Sequence, residues 1–173
     1  MGLVNTDWLR KNLLSDNIKI LDCSWHMPNS ERSGKLEFEA CHIPESIFFD
    51  IDEFSDKKSS FPHTVLPDDK FSQMISDLGI SNQDHIVVYD TLGIFSSPRV
   101  WWMFNYYGHN QISILDGGLI KWCKEKKERM DFPFRSASEV TSPRQNTMIL
   151  EIPQTPRSLA LYCSASVLSR TGR

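Results

Sequence analysis

The sequence predicts an α/β domain with a central parallel sheet and helices on both faces. Three observations carry that reading. Apolar, β-branched runs such as HIVVY (85–89) and QISIL (111–115) are nearly continuous rather than alternating, as strands covered on both sides require. These runs alternate along the chain with segments of helical length and helical periodicity. The connections between them are short and carry Gly, Pro, Ser and Asp, the residues that start and stop helices.

Taken in order, Thr6 is expected to N-cap a helix over TDWLRKNLL, with Asp7 in the first turn where the helix dipole favours it. IKILDC (18–23) reads as a strand. FEACHIPESIFFDID (38–52) contains a turn at Ile43-Pro44 and a second strand over 47–49. Residues 53–66 form a long polar loop. Pro67 suits the first position of a helix, PDDKFSQMISDLG, that Gly79 stops. HIVVY is the third strand. Ser97 caps and Pro98 opens a helix that ends at Gly108, and QISIL is the fourth strand. Asp116-Gly117-Gly118 then turns into a last helix, LIKWCKEKKE. The domain is expected to occupy 1–135. Residues 136–173 are rich in Ser, Pro, Thr and Arg, and are expected to be an irregular tail apart from SLALYC (158–163).

The chain has 173 residues, 40% hydrophobic and 24% charged, which suits one globular domain with its own core. A net charge of -3 gives no reason to expect nucleic acid or an anionic membrane as partner. No apolar stretch approaches the roughly 20 residues of a bilayer span. The N-terminus lacks the apolar run of a secretory signal, so the expectation is a cytosolic or mitochondrial protein, not a secreted one. The four cysteines, Cys23, Cys41, Cys123 and Cys163, form no CxxC pair; reduced thiols are expected, and neither metal nor cofactor.

The loop Thr91-Leu92-Gly93-Ile94-Phe95-Ser96 follows a strand that ends in Asp90 and faces a helix N-terminus. In α/β proteins that is where anions bind and nucleophiles sit. Yet this loop holds no Cys and no Lys. Asp52 and His63, eleven residues apart, have the composition of a proton shuttle in which a carboxylate sets the imidazole tautomer. Read alone, the same pair is also an ordinary polar loop. Arg99 is expected to form a structural ion pair with Asp90 or Asp116 rather than to bind a substrate carboxylate. Trp101, Trp102, Phe104 and Tyr107 are expected to be packing residues rather than a binding box.

Four stretches, ILDCSW (20–25), FEACHIPESIFFDID (38–52), VVYDTLGIFSSPRVWWMF (87–104) and ILDGGLIKW (114–122), stand in an order and spacing that resemble the first domain of the two-domain rhodanese family, the thiosulfate and 3-mercaptopyruvate sulfurtransferases. The resemblance spans about residues 3–127. It implies a parallel sheet between two helical layers, packing of Trp101, Trp102, Phe104 and Tyr107 in the core or against a second domain, and a structural hydrogen bond for His42 in the turn before Ile43-Pro44. It also implies sulfane-sulfur transfer from a small-molecule donor through a cysteine persulfide to cyanide or a thiol. In that family the nucleophile lies in the second domain, in a loop resembling CGSGVT whose backbone N–H groups face the persulfide and which needs no metal. This sequence has Asp90 at the matching position, so the 90–97 loop reads as a copy without the nucleophile, and Asp90 as a loop-starting or helix-capping carboxylate.

Asp52 closes the FFDID motif, and His63 stands where the 3-mercaptopyruvate branch has a His before Leu-Pro. The resemblance therefore makes Asp52 and His63 the candidate catalytic residues, as acid–base partners of the second domain's cysteine, and favours 3-mercaptopyruvate over thiosulfate as donor. The stretch His63-Thr64-Val65-Leu66-Pro67 is one residue longer than the family motif. A second domain needs about another 110–130 residues, and 38 follow Arg135. The expectation is a first domain by itself, of an enzyme family but inactive alone, which takes donor and acceptor only when a second domain is supplied. The alternative is a non-catalytic interaction module that self-associates through its exposed inter-domain face. Cys163 is not expected to be a nucleophile: its loop has Ser and Ala in place of glycines, and a C-x5-R cradle fails because Ser169 stands where the Arg is needed.

Overall fold

A computed structural model describes residues 2–125 of the chain. The expected tail of 136–173, with Cys163, and the expected domain boundary at 135 lie outside the described residues. Ten elements follow in the order β1 (Gly2–Val4), α1 (Thr6–Asn12), β2 (Ile18–Asp22), α2 (Gly34–Ala40), β3 (Ser46–Phe48), α3 (Asp68–Asp77), β4 (His85–Tyr89), α4 (Ser97–Tyr106), β5 (Ile112–Leu115) and α5 (Gly118–Glu125).

The strands form one sheet in the order β1-β5-β4-β2-β3, with every neighbouring pair parallel. The α/β class and the parallel sheet are therefore as the sequence predicts. Side chains on β4 leave the two faces alternately and are buried on both. Ile86 and Val88 join Phe71 and Ile75 of α3 and Val100, Met103 and Phe104 of α4 in one cluster. Val87 and Tyr89 join Leu9 of α1 and Leu119 and Trp122 of α5 in the other. Two-sided burial is why these strands read as unbroken apolar runs.

Several boundaries move for local reasons. Asn5, not Thr6, caps α1, its side-chain oxygen accepting from the Trp8 amide at 2.7 Å. Thr6 is instead buried and donates to Glu125 of α5. Pro67 is the N-cap of α3 rather than its first residue, and Ser96 rather than Ser97 stands at the N-cap of α4. β3 and β5 each start within a residue of expectation. Two elements were not anticipated, β1 at the sheet edge and α2.

Because all strands are parallel, their carboxyl ends lie at one edge of the sheet. The segments after β2 (Cys23–Trp25), after β3 (Phe49–Asp52) and after β4 (Asp90–Ser96) leave from three adjacent strands. Sequence positions 25, 52 and 90–96 are thereby gathered at the place where open α/β sheets bind ligands.

Candidate functional site

The loop after β4 is folded around its own first side chain. Asp90 is buried. One carboxylate oxygen accepts from the Leu92 amide at 3.0 Å. The other accepts from the amides of Phe95 (2.8 Å), Ser96 (3.1 Å) and Ser97 (3.0 Å), and from the Ser97 hydroxyl at 2.7 Å. Amides at the start of α4 have no partner within the helix, and the helix dipole favours an anion there. Ser96 makes no side-chain cap; Asp90, six residues before it, does that work. The reading of Asp90 as a capping carboxylate thus agrees with the geometry. The cradle's amides already have an anion, and it is the protein's own.

Glycine makes this closure sterically feasible. Gly118 begins α5 with φ +53°, and a Cβ there would lie 2.4 Å from the Asp90 carbonyl oxygen. That carbonyl accepts from the Leu119 amide at 3.0 Å. Behind the loop lies a buried polar network. The Thr91 amide donates to the Ser24 hydroxyl oxygen at 3.0 Å, and the Ser24 amide donates to Asp22 at 2.9 Å. Burial pushes the Asp22 carboxyl up, against the lowering effect of its Ser24 hydrogen bonds. The Thr91 hydroxyl donates to Glu37 at 3.2 Å. Burial also pushes Glu37 up, but hydrogen bonds from Arg32 (2.6 and 2.9 Å) and His26 (2.8 Å) outweigh it, and the net shift is down. Glu37 therefore ties α2 to the cradle.

Asp52 and His63 come together at the same edge. The Asp50 side chain accepts from the Asp52 amide at 2.9 Å in an Asx turn, and this sets the direction of Asp52. The Trp25 indole N–H donates to Asp52 Oδ2 at 3.0 Å. His63 Nδ1 lies 3.4 Å from Asp52 Oδ1, within ion-pair range of a protonated ring but without hydrogen-bond alignment. The His63 ring meets Trp25 edge to face, centroids 5.1 Å apart. The backbone at His63 is left-handed, φ +54°. That conformation costs a non-glycine residue about 1 kcal/mol or more. Arg99 holds it by donating to the His63 carbonyl.

Arg99 departs from expectation. It pairs with neither Asp90, whose carboxylate the loop amides occupy, nor Asp116, which binds Lys121. Instead its guanidinium lies 4.6 Å from the centre of the Trp102 ring. Trp25, His63, Phe95, Ser96 and Arg99 line a cleft of about 360 Å³ beside the cradle. Phe104 is core as expected; Trp101 and Tyr107 pack partly buried against it, while Trp102 is 42% exposed. The His42 ring Nδ1 bonds the Phe38 carbonyl at 2.7 Å, the structural role expected of it.

Sequence reasoning missed Trp25, which lies in the ILDCSW stretch and whose indole reaches 27 residues ahead to Asp52, and misjudged Arg99. Cys23 is fully buried, and burial pushes its thiol well up, so it is a poor thiolate. Among the described residues no group of three or more His, Cys, Asp or Glu is placed to hold a metal ion. No helix there is long and apolar enough to cross a membrane.

Comparison with known proteins bears on the family and the fold. The rhodanese-like domain profile matches residues 5–125. The chain is 48% identical over 120 residues to the Arabidopsis thaliana protein named thiosulfate/3-mercaptopyruvate sulfurtransferase 1, mitochondrial, covering 69% of this chain and 32% of that protein. It is 36% identical over 150 residues to human 3-mercaptopyruvate sulfurtransferase, covering 83% of this chain and 49% of the human one. A solved 3-mercaptopyruvate sulfotransferase from Escherichia coli superposes with a TM-score of 0.68 at 36% identity, over 72% of this chain and 48% of that one. The chain thus spans between a third and a half of the length of these relatives. Fold, domain profile and relatives agree, and the chain belongs to the rhodanese family.

Proposed function

We propose that this domain handles the sulfur donor, with 3-mercaptopyruvate preferred over thiosulfate, for a persulfide-forming thiol that its own cradle does not supply. The observation that carries the reading is that His63, with Asp52 beside its ring, lines an open cleft next to a cradle filled by Asp90. In the reaction, the thiolate attacks the donor's sulfur and the donor's carbon–sulfur bond breaks. Its electron pair stays on carbon as the enolate of pyruvate. Protonated His63, oriented by Asp52, gives that carbon a proton, so pyruvate leaves. The Cys–S–SH proton returns to His63. Cyanide or a thiol then takes the outer sulfur and frees the thiolate. The domain boundary near residue 135 belongs to the same proposal.

A second reading has its own observation. The tip of the cradle loop leaves Leu92, Ile94 and Phe95 43%, 43% and 52% exposed. This favours a non-catalytic module that binds a partner, a second copy included, through that tip.

One experiment tests the first reading: thiocyanate formation by the purified 173-residue chain with 3-mercaptopyruvate, then thiosulfate, as donor and cyanide as acceptor, beside Cys163→Ser. No product above the blank is expected from either protein. Turnover by the chain alone, whether or not Cys163→Ser abolishes it, overturns the claim that the thiol comes from elsewhere. Gel filtration addresses the second reading, which a monomer at all concentrations weakens.

A further inference from the structure

The cleft beside the cradle contains a cation that no described residue neutralises. Arg99 is held by the ring of Trp102 and by the carbonyl of His63, and neither is an anion. Three carboxylates that leave the same edge of the sheet are engaged elsewhere. Asp90 takes the loop amides, Asp116 takes Lys121, and Asp52 takes the Trp25 indole while facing His63. Arg99 makes no ion pair among the described residues, and its Nε is buried without a partner. Burial also lowers its pKa, the mark of a guanidinium that has lost water without gaining a counter-charge. A partly desolvated, unpaired guanidinium is a costly arrangement unless an anion completes it.

We propose that Arg99 is the anion-reading residue of this cleft, and that the ligand it reads is the carboxylate of a small 2-oxo acid. Two features select that class. A guanidinium offers its N–H groups as a planar fork that matches a carboxylate. Apart from His63 and Ser96, the rest of the wall, Trp25, Ile51, Pro62 and Phe95, is apolar and suits a short carbon chain rather than a second charged group. Asp52, beside His63 and Trp25 of that wall, disfavours dianions such as phosphate. With its carboxylate on Arg99, the ligand's far carbon lies toward His63, which lines the same cleft. The identity of the ligand rests on the proposed function, whereas anion binding by Arg99 does not. The role differs from the ion pair expected for Arg99, and it gives the residue a specificity task beside its hold on the His63 loop.

The test is a titration of the full 173-residue chain with pyruvate, which has no sulfur to transfer, at constant ionic strength. Tryptophan fluorescence and saturation-transfer NMR report binding. Saturable binding is expected for the wild type, weakened about tenfold or more in Arg99→Gln. Because Arg99→Gln also removes the donor to the His63 carbonyl, Arg99→Lys is run beside it. Lysine keeps the charge and a donor but not the fork, so several-fold weaker binding with an unchanged melting temperature is expected. Inorganic phosphate is expected to compete poorly. No pyruvate binding by the wild type, or equal binding by both variants, overturns the proposal. Arg99-dependent pyruvate binding supports it even if no source of thiol restores sulfur transfer, an outcome that sinks the proposed function alone. Sulfur transfer with a supplied thiol domain and an unchanged KM in Arg99→Lys does the reverse: the function stands and the subsite falls.

Discussion

Replacing Asp90 by Ala removes the one acceptor around which the cradle is folded. Four amides and a hydroxyl lose their partner at once. The amides of Ser96 and Ser97 are buried, and each costs about 1–3 kcal/mol when left unpaired. Those of Leu92 and Phe95 border solvent, which replaces much of what they lose. A loss of about 4 kcal/mol is expected, a large fraction of the about 5–15 kcal/mol that stabilises a typical domain. At about 2.1 cal/mol/K of unfolding entropy per residue over the described domain, this lowers Tm by about 15 °C. Asp90→Asn keeps one oxygen of the same shape and meets the Leu92 amide with a donor, so it should lose only about 1–2 kcal/mol. Urea unfolding at constant m measures the series. The vacated nest should also take an external anion: formate at ten times its Kd restores about 1.4 kcal/mol to Asp90→Ala. An Asp90→Ala protein within about 1 kcal/mol of wild type, with no formate effect, refutes the view that this carboxylate organises the loop.

Two buried carboxyls should give pH slopes of opposite sign. Glu37 is shifted down, so its contribution is present above its unfolded pKa and is lost as pH falls through the lower folded value; the stability gap between wild type and Glu37→Gln should close on acidification below about pH 4. Asp22 is shifted up, so its contribution is present below the unfolded pKa and is lost as pH rises through the raised folded value; Asp22→Asn should gain on wild type as pH is raised from about 4 toward neutrality. Denaturant midpoints across that range check both, and parallel curves contradict the assignment. Gly118→Ala drives a Cβ into the Asp90 carbonyl at a left-handed position, and a loss of about 2 kcal/mol or more is expected in thermal melts. At His63, Gly should be more stable than Ala by about 1 kcal/mol, because only the backbone at φ +54° distinguishes them; equal stabilities mean that the loop relaxes.

The legible part of this fold is the part whose hydrogen bonds and burial are local. β4 and β5 announce themselves because a strand covered on both faces must be apolar at successive positions. α4 is bounded by Pro98 and by Gly108 at φ +86°, residues whose backbone preferences act on their own neighbours. α2 escaped notice because its one fully buried residue is Glu37, so it carries no apolar stripe. β1 escaped because three residues have no period, and its partner is β5, with Gly2 beside Ser113.

By itself, then, the sequence determined the fold class, the order of most elements, the absence of a cysteine from the cradle loop and the candidacy of Asp52 and His63, since these follow from composition, periodicity and motif. Only the tertiary structure decided what those residues face. It put Asp90 into its own cradle, left Arg99 without the carboxylate expected for it, and brought Trp25 to Asp52 and Asp52 to His63. The physical reason is that a charged side chain's partner is set by distance in space and by competition for it. Asp90 was lost to Arg99 because four amides of its own loop lie closer, and that competition is resolved only when parallel strands bring their carboxyl ends to one edge.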